Sequence, residues 1–307
     1  MAETTEISWA DATFNPWIGC TKISPACDHC YAERDNGRRK WVPGWGPGVP
    51  RKRTSPSNWK QPLAWNRRAE KTGVPLRVFV ASLADVFDNE VPQEWRDDLW
   101  ELMRQTPHLR WMVLTKRIGN AAKMLPPDWP FANVGLMATI VNQEEWDRDW
   151  PKLRALPATW RGVSAEPLLG PIQMGIDAPD WLIVGGESGP EARPMELDDV
   201  RFLRDQCSHH GTAFHFKQFG EYLPVGQWMP NQGKVTGGTA LKPGGRMKVH
   251  TDMGNGIQQC FVERGVDVAT MRDGHFTFRV GKKTAGDLLD GRQHKAFPAA
   301  LTFKEAA

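Results

Sequence analysis

The chain has 307 residues, 40% apolar and 24% charged, with 39 basic against 36 acidic side chains. That composition supplies a sizeable core and excludes a disordered or fibrous polymer, and no apolar run approaches the roughly 20 residues of a membrane helix. The N-terminus, MAETTEISWADATFNPW, lacks the basic-then-apolar order of a secretory signal, so the expectation is a soluble cytoplasmic protein with no membrane partner.

In chain order, a short apolar stretch over 13–18 leads into Gly19 and three clustered cysteines, Cys20, Cys27 and Cys30, spaced C-x6-C-x2-C. An odd number of thiols in a reducing compartment argues against a disulfide framework and for metal or cluster ligation. Zinc is one candidate and needs a fourth ligand; His29, between two cysteines, is poorly placed to be it. A 4Fe-4S cluster held by three cysteines is the other, and it leaves one iron open for chemistry.

Next comes a basic segment. Between Arg38 and Lys71 there are ten basic residues against the single acid Glu70, a local charge of +9 in a chain of net charge +3. It carries Trp41, Trp45, Trp59 and Trp65, and six glycines and prolines between Pro43 and Pro50. Such a stretch reads as a long loop rather than a regular helix or central strand. Cations neutralise phosphates and flat aromatic faces stack on unpaired bases, which makes Arg38, Arg39, Lys40, Trp41, Trp45, Arg51, Lys52 and Arg53 candidate nucleic-acid contacts. The plainer alternative is a solvated loop whose tryptophans pack on the domain rim.

From residue 76 apolar runs alternate with helical patterns. Strands are expected over 76–83, 109–114, 134–140, 160–163, 181–184 and 213–216. Helices are expected where Trp95, Leu99, Leu102 and Met103 recur, over 144–156, and along Leu197, Val200, Leu203 and Cys207; 168–179 reads as loop. Strand starts 21 to 33 residues apart fit parallel strands joined by crossovers. The expected fold is therefore α/β: a full or partial barrel, or a doubly wound sheet. Polar residues follow nearly every strand: Asp85, then Thr115, Lys116 and Arg117, then Asn142, Ser164 and Glu166, Glu187 and Ser188, and Lys217 and Gln218. Convergence at strand C-termini is how a barrel builds a site, although some of these residues would serve equally as helix caps.

Beyond Glu221 the texture becomes Gly-rich, with Gly-Gly at 237–238 and 244–245 and one alternation at Phe276, Phe278 and Val280. The division expected is a barrel over 1–220 with the basic insertion 38–71, and a C-terminal appendage over 221–307 containing a short hairpin. No H-E-x-x-H helix, phosphate-binding G-x-x-x-x-G-K-[ST] loop or G-x-S-x-G elbow occurs. Cys207 reads as core, and His209 with His210 as a solvated helix end.

The stretches FNPWIGCTKISPACDHCYAE, VFVASLADVF, VLTKR, VSAEPLLGPI, IVGGESGPEARPM and FHFKQFG, in order over roughly residues 8–220, resemble a bacteriophage-associated three-cysteine family of radical S-adenosylmethionine type, largely of unassigned function. The wider superfamily usually spaces its cysteines C-x3-C-x2-C, and here the first gap is six. The resemblance implies a partial TIM-like barrel, a cluster on Cys20, Cys27 and Cys30, and S-adenosyl-L-methionine at the open iron. It also implies an electron donor such as flavodoxin or ferredoxin. Ser82, Asp85, Glu166 and Glu187 become candidates for the cofactor amino group and ribose hydroxyls, because carboxylates accept charge-assisted hydrogen bonds. Lys116, Arg117 and Lys217 become candidates for a carboxylate or substrate phosphate, Lys116 and Lys217 being the catalytic candidates. Gly185 and Gly186 precede Glu187 on a late strand; they allow close backbone approach to a ligand, or else form only a tight turn. The function implied is radical modification or repair of a nucleic-acid base, DNA and RNA being equally open. The alternatives are a zinc-stabilised nucleic-acid-binding protein, or a radical enzyme with a peptide or small-molecule substrate.

Overall fold

Seven runs of apolar residues flanked by turn formers become the strands of one sheet: β1 (Ala12–Phe14), β2 (Leu76–Val80), β3 (Leu109–Thr115), β4 (Val134–Thr139), β5 (Arg161–Ala165), β6 (Trp181–Gly185) and β7 (Ala213–Gln218). All neighbours pair in parallel and in chain order. A doubly wound sheet reverses its strand order partway across; this one never does. Right-handed crossovers then place every connecting helix on one face, and the sheet curls around the other as a partial barrel. The computed structural model describes residues 5–224, 227, 267–272, 274 and 276–303; Cys260 and the Gly-Gly pairs lie outside them.

The helices are α1 (Tyr31–Arg39), α2 (Gln61–Thr72), α3 (Gln93–Arg104), α4 (Ile118–Met124), α5 (Gln143–Ala155) and α6 (Leu197–His210). Asn142 caps α5 by accepting from the Glu145 amide, and Gly211, at φ 71°, closes α6. The outer core joins Leu99, Met103, Trp150 and Leu203 from the helices to Val80, Val113, Leu136 and Val184 from the strands. The inner face has its own apolar cluster, including Phe79, Met112, Met137, Trp181 and Ile183, with Trp9 and Leu301. Burial on both faces explains why these strands read as near-continuous apolar runs.

The expected strands and helices from residue 76 onward are present with their ends moved by a few residues. The basic segment differs. Arg38 and Arg39 end α1, and the irregular stretch is 40–51. Lys52–Arg53 pairs antiparallel with Trp17–Ile18, and Pro56–Trp59 and α2 are helical. Pro56 and Pro62 sit in first helical turns, where the missing N–H costs nothing, and Pro62, Trp65 and Ala69 form the buried stripe of α2.

After β7 the chain forms a three-stranded antiparallel sheet with Phe276–Arg279 between Tyr222–Pro224 and Val268–Thr270. It returns to the barrel at 294–296. The Phe216 amide donates to His294 O (2.8 Å) and the Ala296 amide to Phe214 O (3.2 Å), so this segment lies antiparallel along the free edge of β7.

Candidate functional site

At the C-terminal ends of the strands the inner face turns polar, through Thr139, Ser164, Glu166 and Lys217, and opens into a cavity of about 500 Å³. All three N-terminal cysteines line it, as do Ser82, Asp85, Lys116, Arg117, Gly186 and Glu187. None of the three is in a disulfide; Cys27 is buried, and Cys20 and Cys30 are partly exposed.

The six-residue gap is held by arginines. Ser24 caps the turn Pro25–Cys27 by accepting from the Ala26 amide, and donates to Glu145 Oε1 at 2.6 Å. Arg117 donates to Cys20 Sγ (3.3 Å) and to Thr21 O (2.6 Å), with Asp85 at 3.4 Å behind it. Arg51 donates to Thr21 Oγ1 at 2.7 Å and to Asp88 at 2.8 Å. On the far side Arg193 bonds Pro25 O, Asp28 and Glu187, and His29 shares Glu187 Oε2 at 3.1 Å. Burial and Asp85 push the Cys20 thiol up to about 11, against the opposing pull of Arg117. A bound cationic centre reverses that preference.

Among the described residues no three His, Cys, Asp or Glu side chains close around one point. In a four-iron cluster each thiolate takes its own iron, so the thiols need only share one cavity, and Cys20, Cys27 and Cys30 all line this one. Two buried acceptors on the cavity wall, Glu166 Oε1 and Thr139 Oγ1, have no hydrogen-bond partner among the described residues. A buried carboxylate oxygen without a donor is costly unless a ligand supplies one. The donor set therefore fits a three-thiolate cluster with a second, cationic ligand beside it.

Several expected contacts are corrected. Asp85 is saturated: Oδ1 accepts from the Phe87 amide and Thr115 Oγ1, and Oδ2 from the Lys116 amide with Arg117 adjacent. Glu187 is equally committed. Burial opposes its ionisation, but the hydrogen bonds from Arg193 and His29 outweigh it and hold the carboxyl below its usual range. Neither carboxylate has capacity left for a cofactor ammonium. Gly186 answers to packing rather than ligand approach, since a Cβ there would lie 1.9 Å from Phe219 O. At Gly185 a Cβ would meet Glu166 Cγ and Lys217 Cβ, each at 3.4 Å. Its smallness leaves room for the Lys217–Glu166 ion pair at 2.7 Å. Ser82 stays on the cavity wall, with its hydroxyl bonded to Asn15.

In the basic segment Arg51 is buried and fully paired, which removes it from any nucleic-acid interface. Arg53 stacks over Trp59 at 4.3 Å and bridges Asp98 at 2.7 Å. Trp65 is core, and Trp59 packs against it. Arg38, Arg39, Lys40 and Lys52 are exposed, Trp41 and Trp45 half-buried, and only Trp45 reaches the cavity. Sequence reasoning missed Arg34, Thr139 and Lys282 as cavity residues; nothing in their local pattern marks them.

Among the described residues no helix is long and apolar enough to cross a membrane. Among solved structures, a spore photoproduct lyase variant matches at 12% identity with a TM-score of 0.46, covering 94% of this chain and 73% of that one. The lyase complexed with dinucleoside spore photoproduct matches at 11% identity and a TM-score of 0.45, over 94% and 73%. No curated protein matches. A family model described as "Protein of unknown function (DUF5131)" matches residues 4–298.

Proposed function

The chain belongs to that family of unknown function, DUF5131, and we propose that it is an iron–sulfur enzyme of radical S-adenosylmethionine type that modifies or repairs a nucleic-acid base. One observation carries the reading: three free thiols and an unpartnered buried carboxylate oxygen face one cavity at the C-terminal rim of a parallel partial barrel.

Cys20, Cys27 and Cys30 hold a 4Fe-4S cluster in this reading. With S-adenosyl-L-methionine bound beside it, the pair would supply one-electron reductive chemistry for hydrogen-atom abstraction from a substrate. Glu166 Oε1 would accept the cofactor ammonium, while Lys217 orients that carboxylate through Oε2. Thr139 and Ser82 offer hydroxyls to the ribose. Arg117 fixes Cys20, and Arg193 fixes the turn carrying Cys27, so the loop is set before anything binds. The phosphate-compatible surface around the cavity gives the nucleic-acid assignment. A flavodoxin or ferredoxin as electron donor, a cytoplasmic setting and a bacteriophage association accompany the reading through the sequence resemblance, as does the division into a catalytic unit over 1–220 and an appendage over 221–307.

The test is anoxic purification. Iron and acid-labile sulfide in about equal amounts, with 5′-deoxyadenosine formed after reduction, are expected; Cys27→Ala loses both iron and product. Zinc without iron or sulfide in the wild-type protein refutes the reading.

A further inference from the structure

The cations of the cavity fall into two groups. Lys22 pairs with Glu33 at 2.8 Å, Arg117 with Asp85 at 3.4 Å and Lys217 with Glu166 at 2.7 Å. Arg34, Lys116 and Lys282 also line the cavity, yet among the described residues none of these three side chains has a carboxylate or hydrogen-bond partner. Against them stands one unpaired lining carboxylate, Glu6. The case of Arg34 is the sharpest. Its Nε is buried without a partner, and its Nη1 lies where a Cβ on Gly189 would come within 2.1 Å, so the glycine leaves the space the guanidinium occupies. Holding a guanidinium half-buried and unpaired costs free energy that an incoming anion would recover. The three residues come from separate elements: α1, the end of β3, and the short helix Lys282–Ala285. Two aromatic faces stand in the same lining: Tyr31, 47% exposed, and Trp45.

We propose that Arg34, Lys116 and Lys282 form a phosphate-binding rim that seats the backbone on either side of a nucleotide whose base lies against Tyr31 and Trp45. This rests on the nucleic-acid reading given above and relocates the phosphate contacts from the basic segment to the cavity mouth. Arg34 takes a phosphate through its planar fork, and the two lysines act as point charges. Stacking on the aromatics is indifferent to base identity, which leaves selection to the interior of the cavity.

The test is fluorescence anisotropy with a labelled single-stranded hexanucleotide, titrated across salt concentrations without S-adenosylmethionine. Each lost phosphate contact lowers the salt slope by about 0.7. Arg34→Gln/Lys116→Gln/Lys282→Gln should therefore lower it by about 2, with at least a tenfold loss of affinity near 0.1 M salt. The charge-retaining Arg34→Lys/Lys116→Arg/Lys282→Arg should keep most of the slope, which separates charge from misfolding. Arg38→Gln/Arg39→Gln/Lys40→Gln should leave it within about 0.7 of wild type. A 5′-mononucleotide competing as well as the hexamer overturns the seating of backbone on both sides of the nucleotide. No binding by the wild type, or an unchanged slope in the first triple variant, overturns the proposal. Iron content and cofactor cleavage are measured on the same preparations. Iron-free protein with the predicted slope change refutes only the radical reading, and an active enzyme with an unchanged slope refutes only the rim.

Discussion

Arg51→Met isolates what a buried cation in the basic segment is for. The Arg51 side chain is 1% exposed and makes five contacts: Asp88 Oδ2 at 2.8 Å, Thr21 Oγ1 at 2.7 Å, Val49 O at 2.9 Å, Gly46 O at 3.1 Å and Glu90 at 3.4 Å. The Asp88 side chain is itself 3% exposed. Removing one partner of such a pair leaves an uncompensated buried charge and costs about 3–5 kcal/mol. The Glu90 contact is partly exposed and adds little. Against a total stability of roughly 5–15 kcal/mol this is a large fraction, and at about 2–4 °C per kcal/mol it lowers Tm by on the order of 10 °C. Thermal melting by circular dichroism measures it. Arg51→Met/Asp88→Leu should regain much of the loss, because replacing both partners removes the stranded charge as well. Iron loading of Arg51→Met should also fall, since Thr21, beside Cys20, loses its anchor. A Tm within about 2 °C of wild type, together with an oligonucleotide salt slope lowered by about 0.7, would refute this reasoning and return Arg51 to the phosphate-contacting set.

Glu166→Gln should weaken S-adenosylmethionine binding about tenfold, as expected for loss of one charge-assisted hydrogen bond, with iron content unchanged; calorimetry on the cluster-loaded protein decides it. Gly186→Ala should give insoluble protein or a loss of several degrees in Tm, because a Cβ 1.9 Å from Phe219 O forces backbone to move, whereas Gly44→Ala, whose nearest neighbour would be 3.4 Å away, should be well tolerated. His215 supplies a pH signature. Burial, with Lys295 and Lys217 nearby, pushes it down to about 3. The unfolded chain takes up that proton near pH 6.5, so between about 6.5 and 3 it binds more protons than the fold does. Stability from this group is thus fully present above about pH 6.5 and declines as pH falls, by up to about 1.4 kcal/mol per unit. His215→Gln should flatten that slope in urea titrations run from pH 7 to 4; an NMR titration of His215 near 6.5 would refute the assignment.

The strands were legible because both faces of a parallel sheet are buried: LRVFV and WLIVG carry their assignment in five residues each. Sequential strand order was not legible, since spacing alone fits either wound topology, and pairing partners decide between them. In α2 the proline at a helix start and a stripe diluted by arginines and lysines disguised a helix as a loop. At the site, residue type located the thiols and the polar rim but not which carboxylates were already spoken for. Asp85, Glu166 and Glu187 look alike in sequence. Only their partners separate scaffold from receptor: three hydrogen bonds and the Arg117 guanidinium for Asp85, four hydrogen bonds from Arg193 and His29 for Glu187, but a single lysine for Glu166. The charge of Arg51 likewise suggested a surface role that burial removes.

The sheet ends at β1 on one side and at β7 on the other, and the two do not pair. A ring that stops short of closure leaves a doorway between two edge strands. Such a doorway has a hazard, for a bare row of amides and carbonyls invites a neighbouring molecule to zip onto it. The stretch 294–296 laid along β7 removes that invitation from one doorpost. Deleting it should turn a monodisperse solution into one that associates edge to edge.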